Sequence, residues 1–132
     1  MPEQSEERAR IMALFESLDA QPRIAFPQSR KSIDAPSTQG VYVIRAADGT
    51  VLHVGRTVSG RKGLAQRLRN HVSGKSSFVR TYLHGNSDTL RSSFSFQCIE
   101  VENDRDRALL EHHATAWHCP AHLGLGREGN NE

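Results

Sequence analysis

The sequence predicts an α+β fold: a three-stranded antiparallel sheet flanked by helices, with an extra helix at the N-terminus. Three observations carry this prediction. Asp48-Gly49 stands between two short runs rich in β-branched and aromatic residues, which is a strong short-range hairpin signal. Apolar residues recur at helical spacing near both ends of the chain. The length of 132 residues with 36% hydrophobic side chains suits one core and leaves little room for a second.

Ser5 to Asp19 reads as a helix, because Ile11, Leu14, Phe15 and Leu18 fall on one stripe, with Ser5 as a cap and Glu6 and Glu7 in the first turn. That stripe must pack on the core or on a second copy, so a homo-oligomer through this helix is an expectation. Gln21 to Thr38 holds Pro22, Pro27 and Pro36 and reads as an irregular connection without chemistry. Val41 to Ile44 and Val51 to Gly55 are the hairpin strands. With Asp48-Gly49 at the turn, Tyr42 faces Gly55 and Ile44 faces His53, so Tyr42 and His53 share one side of the sheet diagonally. Gly55 opposite Tyr42 is read as leaving open space over the ring.

A second helix spans about Lys62 to Val72 and stops at Ser73-Gly74. Leu64, Leu68 and Val72 form its inner stripe, Arg67 and His71 border that stripe, and Arg69 points away. Ser76 to His84 is a weaker helix ended by Gly85-Asn86. Phe94 to Glu102 is the third strand, and a last helix runs from Asp104 as N-cap to His118, with Leu110, Ala114 and Trp117 inward and Glu111 at the border. Phe15 and Trp117 are read as core. Residues 1–35 form the N-terminal helix and connection, 36–123 the main domain and 124–132 a flexible, glycine-rich tail.

Charge is uneven. The net value is +2, yet from Arg56 to Arg91 there are eight basic residues and one acid, against nine basic and fourteen acidic residues elsewhere. Such a segment fits a polyanion, and Arg56, Arg61, Lys62, Arg69, Lys75 and Arg80 are the candidate nucleic-acid contacts. No run of about 18 apolar residues is present, and the charged N-terminus lacks a secretory pattern, so no membrane partner and a cytoplasmic location are expected. Cys98 and Cys119 read as free thiols. His112, His113, His118, Cys119 and His122 lack CxxC or HExxH spacing, so no structural zinc site is assigned to them.

The hairpin and second helix bring Tyr42, His53, Arg67 and His71 within reach of one another. A phosphodiester is an anion that repels hydroxide, so cutting it takes charge neutralisation, a placed water and relief of charge on the leaving oxygen. Arginine stays cationic and grips phosphate bidentately. A phenol near pKa 10 is a weak base at pH 7 unless a neighbour such as His71 accepts its proton.

Gly40-Val41-Tyr42, His53-Val54-Gly55 followed by Arg56-Thr57, Leu64-x-x-Arg67-Leu68 leading to His71, and Leu110-Glu111 ahead of Pro120 together resemble the GIY-YIG nuclease superfamily. The resemblance spans about Pro36 to Leu123. It implies a GIY-YIG endonuclease-like fold and divalent-metal-dependent hydrolysis of DNA, double-stranded or branched, in repair or restriction. It further implies Tyr42 as general base, Arg67 as phosphate clamp, His53 and His71 as site residues, and Glu111 as the ligand of Mg2+ or Mn2+.

Two positions depart from the pattern. His53 stands where the second triplet has tyrosine, and Ala121-His122-Leu123 lacks the asparagine that often follows the proline. They set up the alternative, a nucleic-acid-binding module that kept the fold and lost the chemistry.

Overall fold

In the computed structural model of the chain, residues 2–28, 33–59 and 62–123 are described. The order is α1 (Pro2–Asp19), β1 (Ile24–Ala25), β2 (Gly40–Arg45), β3 (Val51–Arg56), α2 (Gly63–Val72), a π-helical turn (Phe78–Tyr82), α3 (Ser87–Ser93), β4 (Ser95–Glu100) and α4 (Asp104–His118). The strands form one antiparallel sheet in the order β1-β4-β2-β3.

The sheet has four strands where the sequence predicts three. The fourth is a two-residue edge strand inside the proline-rich connection, pairing Ile24 with Phe96 and Ala25 with Ser95. Two residues are too short for an alternating pattern to show, and the pairing is long-range. The pairs Tyr42–Gly55 and Ile44–His53 are as predicted, but the turn is centred on Ala47-Asp48 rather than Asp48-Gly49, with the Gly49 N–H donating to the Ala46 carbonyl at 2.9 Å. Arg45 then opposes Val51, so Leu52 is the extra residue of a β-bulge. The bulge puts Leu52 and His53 on the same core side while Val51 and Val54 serve the other.

Two apolar layers sandwich the sheet. On one face Tyr42, Ile44 and Phe96 meet Leu64, Leu68 and Val72 of α2, Phe78 and Val79 of the π turn and Leu90 of α3. On the other, Val41, Val43 and Val54 meet Phe15 and Leu18 of α1 and Leu110 and Ala114 of α4. Central strand β2 is therefore buried throughout. Leu68 is fully buried at the centre of the first layer. Leu68→Ala should cost about 3 kcal/mol of unfolding free energy; urea denaturation checks this, and a loss below about 1 kcal/mol would mean that α2 is loosely packed.

The stripe of α1 packs on this chain's own α4. Arg10 pairs with Asp106 at 2.9 Å and Arg105 with Glu7 at 2.7 Å along the seam. Trp117 departs from expectation: it is 67% exposed. The inner line of α4 runs Leu110, Ala114, His118 at spacing four, which turns Trp117 outward and leaves it a T-shaped contact with Phe15, at 5.8 Å between ring centres. The N-cap of α4 is Asn103, whose Oδ1 accepts from the Asp106 N–H at 2.9 Å, while Asp104 lies in the first turn. Asn86, read as a terminator, instead caps the unpredicted helix α3, accepting from the Asp88 N–H at 3.1 Å.

Helix α2 is entered through Gly63 at φ +87°, where a Cβ would sit 2.1 Å from the Ser37 carbonyl oxygen. That approach lets the carbonyls of Pro36 and Thr38 accept from the N–H groups of Ala65 and Leu64. These contacts fix the direction in which Arg67 and His71 leave the helix. Among the described residues no helix is long and apolar enough to cross a membrane. Cys98 and Cys119 are free thiols, and burial, with Asp34 and Glu100 nearby, pushes the Cys98 thiol up to about 11.

Candidate functional site

Four rings from four parts of the chain converge on one face of the sheet. Tyr42 comes from β2, His53 from β3, His71 from the last turn of α2 and His122 from the segment after α4; all are buried. The Tyr42 hydroxyl and His71 Nε2 are 2.9 Å apart. His53 lies 5.9 Å from Tyr42 and 5.5 Å from His71 between ring centres, and it stacks on Phe78 at 5.0 Å and 22°. Tyr82 continues that column by stacking on Phe78 at 5.5 Å and 12°.

Gly55 is the reason Tyr42 can point this way. A Cβ there would lie 2.3 Å from the Tyr42 hydroxyl oxygen and 2.4 Å from Cζ. The space expected over the ring is thus taken by the ring itself, laid across the glycine backbone.

Arg56, at the end of β3, links the polar half of the site. Its carbonyl accepts from Arg67 Nη2 at 3.0 Å, and its Nη1 pairs with Glu111 Oε1 at 2.5 Å. Arg67 Nε is buried and has no hydrogen-bond partner among the described residues. A buried guanidinium N–H without an acceptor is costly in an apo protein and becomes favourable when an anion arrives. The next segment is held by Arg107, a buried side chain absent from the sequence-derived set. Its Nε donates to the Thr57 carbonyl at 2.9 Å and its Nη1 to the Val101 and Glu102 carbonyls at 2.8 and 3.1 Å.

The structure therefore gathers Tyr42, His53 and His71 in one ring cluster and joins Arg67 and Glu111 through Arg56. Lys62 heads α2, Arg69 lies in its last turn, Lys75 follows it and Arg80 lies in the π turn; Lys62, Lys75 and Arg80 are exposed. Arg61 and the tail 124–132 lie outside the described residues. His122 was visible in the sequence as a departure from a motif. Its place beside His53 depends on backbone bonds from Ala121 to the Val51 carbonyl at 3.3 Å and from His122 to the Leu52 carbonyl at 2.8 Å, which leave no local sequence signal.

Among the described residues no group of three or more His, Cys, Asp or Glu is placed to hold a metal ion. A hard divalent cation that keeps most of its waters can use one carboxylate. Glu111 fits that requirement: it is partly exposed, and it already holds a cationic group, the Arg56 guanidinium.

No protein-family model matches the chain, and no curated protein matches it. Solved structures do. The GIY-YIG N-terminal endonuclease domain of UvrC from Thermotoga maritima, bound to its catalytic magnesium, is similar at 23% identity with a TM-score of 0.51, covering 70% of this chain and 90% of that one. Two point mutants of that domain, each bound to its catalytic divalent cation, are similar at 23% and 22% identity, both with a TM-score of 0.51. They cover 70% of this chain and 90% and 89% of theirs. The α+β sheet with its flanking helices is therefore the GIY-YIG endonuclease fold.

Proposed function

We propose that the chain is a divalent-metal-dependent endonuclease that hydrolyses DNA phosphodiester bonds, acting on double-stranded or branched DNA in repair or restriction. The observation that carries this reading is the 2.9 Å contact between the Tyr42 hydroxyl and His71 Nε2. Neutral His71 accepts the phenol proton, which lets the Tyr42 oxygen take a proton from an attacking water. Arg67, with its buried Nε unpaired among the described residues, grips the phosphate. Exposed Lys62, Lys75 and Arg80, with Arg69, hold the flanking backbone. Glu111 is the residue that would hold Mg2+ or Mn2+, displacing or sharing Oε1 with Arg56. Such a cation, when bound, neutralises charge on the phosphate and leaving oxygen.

A second reading is favoured by one specific observation. Tyr42, His53 and His71 are almost wholly buried, and Glu111 is paired with Arg56, which suits a DNA-binding module that has lost cleavage.

Incubation of the protein with supercoiled, linear, branched and single-stranded DNA, with and without Mg2+ or Mn2+, separates the two. The endonuclease reading expects metal-dependent cutting that falls at least about 10²-fold in Glu111→Gln while DNA binding persists. If the wild-type protein binds DNA and cuts none of these substrates with either metal, the binding module stands.

A further inference from the structure

His122 has no part in the roles assigned above, yet its Nδ1 lies 3.1 Å from Nδ1 of His53. Both rings are buried and their centres are 5.1 Å apart. The placement is built: the extended segment 121–122 runs along β3 and is held by the Val51 and Leu52 carbonyls.

Two Nδ1 atoms at this distance share one proton, with one nitrogen donating and the other accepting. In the neutral pair, one ring then has its proton on Nδ1 and a lone pair on Nε2, and the other ring has the reverse. One added proton fills the remaining Nε2, so that both Nε2 atoms become donors. A second added proton would set two N–H groups against each other and must break the contact. The only Nε2 able to accept a proton thus exists in the neutral pair alone.

We propose that His122 is a positioning residue for His53: through the shared Nδ1 contact the tautomer of one ring fixes that of the other, and the two imidazoles take up protons as one unit. Among the described residues, the titratable rings facing the pair are Tyr42 from β2 and His71 from α2 on the His53 side, and Tyr82 from the π turn on the His122 side. Phe78 packs against both histidines and keeps the contact dry. What the pair does for cleavage rests on the endonuclease reading; the pairing itself does not.

Nitrogen NMR of the intact protein with 15N-labelled imidazoles tests this without catalysis. A through-hydrogen-bond coupling between the two Nδ1 atoms is expected at neutral to alkaline pH, with both rings following shared titration steps. In His122→Gln the coupling disappears and the His53 ring no longer shows the shared steps of two sites that titrate together. Where cutting is observed, the acid limb of its pH–rate profile changes too. Independent titration of the two rings in the wild-type protein, with no coupling, overturns the proposal, and this measurement needs no variant to fold. Coupling present in a protein that cuts no DNA upholds the pair and removes the endonuclease reading instead.

Discussion

If the chain is the endonuclease proposed above, Tyr42→Phe is expected to slow DNA cleavage by about 10²–10⁴-fold, the range lost when a positioned acid–base group is removed. The variant deletes one oxygen, and that oxygen is the one 2.9 Å from His71 Nε2. Ring packing against the α2 face stays, so binding to DNA and its salt dependence should be unchanged. Losing the buried hydrogen bond should cost about 1–3 kcal/mol of stability. Single-turnover cleavage beside filter binding at several salt concentrations separates chemistry from affinity. Wild-type cutting by the variant would show that the phenol oxygen handles no proton in the reaction.

On the same endonuclease reading, Gly55→Ala should be nearly as damaging to cleavage, through sterics. The new methyl carbon would lie 2.3 Å from the Tyr42 oxygen and 2.4 Å from Cζ, far inside contact distance. Backbone strain is not the issue, since Gly55 is an ordinary strand residue paired with Tyr42 in the ladder. The tyrosine ring must swing off the glycine and away from His71, at an expected overpacking cost of about 1–3 kcal/mol. A double-mutant cycle with Tyr42→Ala checks the cause by thermal denaturation. The cost of Gly55→Ala should largely vanish once the ring is gone, and equal costs in both backgrounds would rule out this clash.

Local chemistry made the hairpin legible in the sequence. Asp48-Gly49 marked the hairpin, and the pairing of Ile44 with His53 put Tyr42 and His53 on one side of the sheet, although the Leu52 bulge that secures that pairing left no signal. The spacing of Leu64, Leu68 and Val72 likewise set the direction of Arg67 and His71. What escaped was decided by contacts distant in sequence. Strand β1 exists because β4 offers an edge, and Trp117 is outside because His118 takes the inner line of α4. The Arg56–Glu111 pair joins residues 55 positions apart, so neither partner advertises the other. His122 is the extreme case, since its importance lies in a backbone path rather than in its neighbours.

That path bears on the order in which the protein acquires its site during synthesis. Tyr42 and His71 are 29 positions apart, whereas His53 and His122 are 69 apart. Closing the longer loop costs only about 0.8 kcal/mol more in chain entropy, so thermodynamics hardly separates the two contacts. Translation does, because His122 leaves the ribosome well after the hairpin and α2 have been made. A nascent chain therefore carries Tyr42, His53 and His71 before it carries His122, and the histidine pair can form only when the segment after α4 docks along β3.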